Sequence, residues 1–282
     1  MSQKSYDLSP TLYIIPTPIG NLEDITFRSI NILKESEVIF SEDTREAKKL
    51  LNYYEIDKKL IACHKFNEDT VYKKILSYLD EGKTISLVSD RGTPCISDPG
   101  YEVVYQVIKK GYNVVCLPGA TAFVPALVMS GINPNKFLFY GFLNSKKSIK
   151  KKELEQIKNE KETLIFYESP FRILETLELI KNILGDRKVS VVREISKKYE
   201  EVYRGKIEEI KEELIEPKGE FVIIVEENKE KISYDNVDII EHVNNFINDG
   251  MSEKDAIKKV AKLHNLEKNV VYMKYKEEKK WN

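Results

Sequence analysis

The sequence predicts an α/β fold: a mostly parallel sheet in an N-terminal domain, a smaller mixed α/β domain after it, and a C-terminal helical tail. Three observations carry this reading. From Leu12 to Ser130 short apolar runs alternate with helically spaced segments, the pattern of buried parallel strands with helices on both faces. A second series of runs starts beyond Gly131, Asn133 and Pro134, and after Glu227 the chain turns charged and helical.

In the first domain, 11–132, the runs are Leu12 to Ile15, Val38 to Phe40, Leu60 to Ala62, Thr84 to Val88 and Val114 to Leu117. Each is short and bounded by polar, Gly or Pro residues, as a buried strand should be. Ile75, Leu76 and Leu79 exemplify the helical spacing between them. The second domain, 133–228, opens with a strand at Phe137 to Tyr140, a helix near Lys151 to Lys158 and a strand at Thr163 to Tyr167. Ser169 and Pro170 then read as N-cap and first residue of a helix whose apolar stripe is Ile173, Leu177, Ile180 and Leu184. Strands near Val189 to Val192, Glu201 to Tyr203 and Phe221 to Val225 complete it. In the tail, 235–280, Ser252 and Asp255 resemble a capping box before Ile257, Val260 and Ala261. A break at His264 to Leu266 precedes Val270, Val271 and Tyr275, which suits either a helix-turn-helix or a helical pair packed on its own domain.

Composition narrows the classes. The 282 residues are 41% hydrophobic and 32% charged, which suits a globular chain and excludes disorder. With 45 basic against 46 acidic residues, a nucleic acid must be met by a local patch. Three cysteines without a CxxC pair fit a reducing cytoplasm, and three scattered histidines give no metal site. Met1 to Pro10 has no export-type apolar core. The uncharged run Gly111 to Asn135 is interrupted by Pro118, Gly119, Pro125, Gly131 and Pro134, so it is read as strand, turn and helix, with no membrane contact.

Chemistry falls on one edge. Loops leaving the carboxyl ends of parallel strands emerge together, where open α/β sheets bind ligands. Those loops hold Pro16 to Asn21, Ser41 to Arg45, Cys63 to Glu68, Ser89 to Pro94 and Pro118 to Ala122, whereas opposite-edge loops such as Asp80 to Lys83 are plain turns. No GxGxxG follows the first strand, and Gly82-Lys83-Thr84 imitates a P-loop but precedes a strand and lacks the first glycine.

The segments LYIIPTPIGNLEDITFRS, SEDTR, HKFNE, LVSDRGTPCISDPGY, LPGATAF and FYESPFR, in this order, resemble the RsmI group of ribosomal RNA methyltransferases, with a tetrapyrrole-methylase-like fold. The resemblance runs from about Leu12 to Val225 and weakly through the tail. It implies S-adenosylmethionine-dependent 2′-O-methylation of a cytidine ribose in 16S rRNA of the small ribosomal subunit, at the decoding centre, by a homodimer with cofactor between two α/β domains. Arg91 stands where the group usually has a small residue, Ala120-Thr121 replaces Pro-Ser, and Phe171 replaces a His. Alternatives are a methyltransferase of this fold acting on a tetrapyrrole or a protein, and a non-catalytic RNA-binding assembly factor.

Within this frame, Ile19 and Gly20 bring backbone close to the cofactor, or form a plain turn. Ser89 and Asp90 end a buried strand, where Asp90 either meets the cofactor's positive charge or caps a turn. Gly92, Thr93 and Ile96 form a wall, and the resemblance makes Thr121 and Ala122 an adenosine-contacting turn, although they suit the first turn of a helix equally well. Tyr167 and Glu220 close the cleft from the second domain. The methyl donor is already activated, so alignment and removal of a hydroxyl proton are what remain. Glu42, Asp43, His64, Glu68 and Glu168 are the candidate bases, with Glu168 and Glu42 foremost and Arg172 beside Glu168 to hold a phosphate. Arg45 and His64 are candidate RNA contacts, although Arg45 suits an ion pair with Glu42 or Asp43 equally well. Lys146, Lys147, Lys150, Lys151 and Lys152 form a phosphate-docking patch or a solvated helix face.

Overall fold

The computed structural model describes residues 3–5, 7–229, 238–264 and 266–278. The first five apolar runs are strands β1 (Thr11–Ile15), β2 (Val38–Ser41), β3 (Lys59–Ala62), β4 (Ile85–Val88) and β5 (Asn113–Cys116). All their pairings are parallel, in the order β3-β2-β4-β1-β5. β2 and β4 are buried at every position, which is why their sequences show continuous apolar runs and no alternation.

The crossovers are α1 (Phe27–Glu35), α2 (Thr44–Tyr53), α3 (Glu68–Asp80) and α4 (Tyr101–Lys109), with α5 (Phe123–Ser130) after β5. One face of the sheet packs Leu12, Phe40 and Leu87 against Val71, Ile75 and Leu79 of α3 and Val103 and Val107 of α4. The other packs Ile15, Ile39 and Val88 against Leu33 of α1 and Leu51 of α2. The uncharged run thus divides into β5, a turn and α5, and among the described residues no helix is long and apolar enough to cross a membrane.

The second sheet has β6 (Phe137–Phe142), β7 (Thr163–Glu168), β8 (Val189–Arg193), β9 (Glu201–Gly205) and β10 (Phe221–Val225). Its order is β6-β7-β10-β8-β9, with only β6 and β7 parallel. It has as many strands as the first sheet, five. Helices α6 (Lys147–Gln156), α7 (Ile173–Leu184) and α8 (Ile207–Glu213) accompany it. A bulge between Phe139 and Gly141 shifts the register of β6 against β7. Gly141 adopts φ 78°, and a side chain there would press to 2.9 Å of Ser97 Oγ.

Two boundaries differ from expectation. α6 starts at Lys147, four residues before the expected helix, and α7 starts at Ile173 and not at Ser169-Pro170. Ser169 does not cap an amide with its hydroxyl: Ser169 Oγ accepts from Arg172 Nε (3.2 Å), and its carbonyl accepts from the N–H groups of Arg172 and Ile173 (both 3.1 Å). The result is a turn ahead of the helix. The division at 132/133 falls between α5 and β6, yet Ala126 and Leu127 of α5 pack with Ile165, Val192, Val222 and Ile224 of the second sheet. Residues up to 228 accordingly form one compact unit.

The tail forms a unit of its own, with α9 (Ile239–Asn248), α10 (Glu253–Leu263) and α11 (Lys268–Glu278). Val243, Ala256, Ile257, Val260, Val271 and Tyr275 bury against one another. Ser252 caps α10 by accepting the Asp255 N–H (3.2 Å), and its hydroxyl donates to the Asp255 carboxylate (2.6 Å). Positions 235–237, 265 and 279–280 of the expected tail lie outside the described residues.

Candidate cofactor cleft

Because β1 lies between β4 and β5 in a parallel sheet, the loops after these strands meet at one edge. They are laced together. Thr17 and Gly92 exchange both backbone hydrogen bonds (2.9 and 3.0 Å), Thr17 Oγ1 donates to the Ser89 carbonyl (3.2 Å), and Thr93 Oγ1 donates to the Ala120 carbonyl (3.1 Å). Ser89 Oγ closes its own turn on the Gly92 carbonyl (3.1 Å). Facing this rim is one edge of the second sheet, made of the ends of β7 and β8 and the start of β10.

Between rim and edge lies a cavity of about 440 Å³. That falls within the range of small-molecule sites, about 300 to 1,000 Å³. Of the residues the sequence singles out, it is lined by Ile19, Gly92, Thr93, Ile96, Thr121, Ala122, Tyr167, Glu168 and Glu220. Burial pushes the Tyr167 phenol up to about 12, against the backbone N–H groups of Phe123 and Ala122. Its ring stands edge-on to Phe139 and Phe142.

Asp98 also lines the cavity, and sequence reasoning missed it. Its place inside SDPGY reads as a turn aspartate before proline. The backbone just before it holds two non-glycine residues at positive φ, Cys95 (71°) and Ser97 (64°), a strained arrangement typical of ligand sites. Burial first, then the Glu42 and Asp90 carboxylates, push the Asp98 carboxyl up to about 7. The charged groups acting on it are all acidic, so a cationic ligand would relieve its repulsion and restore the carboxylate.

Three expected cofactor contacts lie elsewhere. Gly20, Ser89 and Asp90 line a neighbouring recess of about 340 Å³. The bare face of Gly20 is taken by the Lys197 stem, whose Cγ occupies the place an alanine Cβ would need. Asp90 Oδ1 accepts the Asp43 N–H (3.0 Å), so it holds the approach to α2. Arg91 separates the recesses and reaches Glu220 Oε1 of the second domain (2.5 Å), while Lys197 Nζ holds Glu220 Oε2 (2.8 Å) and Glu194 (2.8 Å).

Glu42, Arg45 and His64 line neither recess. Arg45 is paired bidentately with Asp43 (3.0 and 2.6 Å), whose carboxyl those bonds hold at about 2, so the ion-pair alternative describes its geometry. Burial, Asp90 and Asp43 raise the Glu42 carboxyl, with His64 opposing them. His64 Nδ1 is buried without a hydrogen-bond partner among the described residues.

Beneath the cleft wall is a buried ion cluster. Glu168 is 2% exposed and Lys150 is 0% exposed. Glu168 Oε1 accepts from the Ser169 N–H (2.8 Å) and pairs with Arg172 Nη2 (2.8 Å). Its Oε2 accepts from Thr176 Oγ1 (2.7 Å) and faces Lys150 Nζ at 3.7 Å. Lys150 also donates to Thr176 Oγ1 (2.8 Å) and faces Glu175 (3.6 Å). Two corrections follow. Lys150 cannot dock phosphate, because it shares the inward face of α6 with Leu154 and its charge is matched inside. Glu168 has both oxygens committed to donors and is geometrically an anchor, a poor arrangement for a proton acceptor. Lys146, Lys147, Lys151 and Lys152 remain exposed, with Lys147 facing Glu175 at 3.3 Å.

A family model described as tetrapyrrole (corrin/porphyrin) methylases matches residues 11–211. This chain belongs to that family. The methylase is 48% identical to the ribosomal RNA small subunit methyltransferase I of Bacillus subtilis, over 94% of this chain and 93% of the relative. It is 46% identical to the protein of the same name from Halalkalibacterium halodurans, over 98% and 99%, and 41% identical to that from Haemophilus influenzae, over 94% and 96%. Among solved structures it is similar to a cobalt precorrin-4 methyltransferase (TM-score 0.58, 16% identity, 80% and 98% covered). A uroporphyrin-III C-methyltransferase from Thermus thermophilus gives TM-score 0.55 at 16% identity, with 77% and 94% covered. These two likenesses speak for the fold alone. Methyltransferases of this family use S-adenosylmethionine. The cleft fits that group, being largely apolar and carrying in Asp98 a carboxyl with no cationic partner among the described residues.

Proposed function

We propose that this methylase transfers a methyl group from S-adenosylmethionine to the 2′-hydroxyl of a cytidine in 16S rRNA of the small ribosomal subunit. The observation that carries the reading is near-full-length identity of 48% to a small-subunit rRNA methyltransferase. The cavity between the laced rim and the second sheet supports it. Bound there, the cofactor supplies an electrophilic methyl on a sulfonium. Asp98 supplies the negative charge that such a cation needs, Ile19, Ile96 and Val222 supply apolar walls, and Thr121 and Ala122 border the same space. The rim hydrogen bonds hold these groups without reorganisation, and alignment is the main contribution a pre-activated donor asks of the protein.

Lys146, Lys151 and Lys152, exposed on and beside α6, are proposed phosphate contacts, each adding about 0.7 to 0.9 to the logarithmic salt slope. We also place the methylase in the cytoplasm as a homodimer. Exposed Tyr101, Tyr105 and Ile108 on α4 and Val124 and Val128 on α5, at helical spacing, support a covered face. Light scattering that returns a single-chain mass would remove the dimer.

The deciding experiment incubates unmodified small subunits with the methylase and labelled S-adenosylmethionine, then maps the label. A labelled cytidine ribose is expected. Label on a base, on a protein or on a tetrapyrrole only would replace the reading.

A further inference from the structure

The cleft wall runs Tyr167, Glu168, Ser169, Pro170 and then leaves the cavity. The next residue, Phe171, is 96% exposed. A phenyl ring held in water costs hydrophobic free energy, and this one is held by a short rigid turn: Pro170 limits the backbone and the Arg172 N–H closes onto the Ser169 carbonyl (3.1 Å). Arg172 is fixed beside it, with Nη2 on Glu168 Oε1 (2.8 Å) and Nε on Ser169 Oγ (3.2 Å). Its Nη1 carries no hydrogen bond among the described residues, and its side chain is 26% exposed. Lys147, Lys150 and Arg172 face only Glu168 and Glu175 in this cluster, which leaves one positive charge over.

We propose that Phe171 and Arg172 form a nucleotide clamp at the mouth of the cleft: the ring stacks on a base of the RNA strand and the guanidinium holds an adjoining phosphate. The proposal rests on the RNA reading above and says how that RNA is gripped. Aromatic rings and guanidinium groups are what single-stranded RNA recognition uses, because an unstacked base presents a π face and a phosphate presents paired acceptors. Glu168, buried and backed by Lys150 and Thr176, is then a positioning residue that presents Arg172.

The test is single-turnover methylation of small subunits by the wild type, Phe171→Ala, Phe171→Trp and Arg172→Lys, with cofactor affinity measured in parallel by calorimetry. Phe171→Ala is expected to raise KM for the subunit roughly five- to a hundredfold, the range of one lost base stack, with cofactor Kd unchanged. Trp is expected to restore most of the loss. Arg172→Lys keeps the charge but loses the planar fork, and is expected to raise KM while leaving its salt dependence unchanged. A wild-type KM in Phe171→Ala, failure of Trp to rescue, or a parallel rise in cofactor Kd overturns the clamp. Absence of RNA labelling by the wild type overturns the underlying reading first, and is seen separately.

Discussion

The first sheet and the second reach the same cleft through different strand geometry. In the first, every strand runs the same way, so the loops after β1, β4 and β5 arrive together and the wall is built from consecutive loop residues. In the second, β10 runs against β7 and β8, so the wall combines two strand ends with one strand start: Phe221 stands opposite both Glu168 and Arg193. The first half holds its loops with backbone and hydroxyl hydrogen bonds, and the second holds its edge with buried charge. Parallel topology gathers a site by direction alone, whereas a mixed sheet needs a specific internal network to fix its contribution.

The largest expected effect probes that network. Lys150→Met leaves Glu168 short of a buried counter-charge and is expected to cost about 3 to 5 kcal/mol in chemical denaturation. Lys151→Met, one residue on and exposed, should leave the midpoint unchanged. Equal effects from the two would erase the contrast between a buried and a solvated lysine on one helix.

On the rim side, Asp98→Asn is expected to weaken cofactor binding at least tenfold by calorimetry. The carboxyl titrates near 7, so in the wild type cofactor affinity should climb by up to about tenfold per pH unit from pH 5 and level off above 7. The Asn variant should lack that slope. Ligand-free stability has the opposite sign: a carboxyl raised by burial is disfavoured in the fold once charged, so it costs stability as pH rises from its ordinary value through about 7. Asp98→Asn should therefore raise the ligand-free melting midpoint above pH 7. A flat wild-type binding profile would detach Asp98 from the cofactor.

The third test addresses the junction between the halves. Gly20→Ala must displace the Lys197 stem, which both Glu194 and Glu220 pin, and is expected to cost about 1 to 3 kcal/mol. Gly20→Ala with Lys197→Ala should recover most of this, a non-additive result. Additive losses would mean that Gly20 is needed for its backbone alone. Phe171→Ala, as described above, should leave stability unchanged, since the ring makes almost no buried contact.

The ten strands among the described residues were legible because nearly all are short apolar runs between polar or Gly and Pro residues, β9 (Glu-Val-Tyr-Arg-Gly) being the polar exception. The rim was legible for the same reason, and Ile19, Gly92, Thr93, Ile96, Thr121 and Ala122 all border the cavity. Asp98 was not, because a carboxylate before proline looks like any turn until its neighbours are known. Lys150 misled in the other direction: a run of lysines reads as one surface, but a helix turns its fourth residue inward beside Leu154. Gly20 and Asp90 follow the right strands yet face the neighbouring recess, since one rim serves two sides of a sheet.

By itself, the sequence determined the strand order of types, the edge on which chemistry gathers and the family, because these depend on local periodicity and on motifs continuous along the chain. The tertiary structure alone decided which carboxyl faces the cavity, which lysine is buried and what fills the space beside Gly20. Those outcomes depend on groups that meet only when the chain folds: Glu42 and Asp90 around Asp98 on the first rim, Glu168 beside Lys150 within the second half, and Lys197 of the second half over Gly20 of the first.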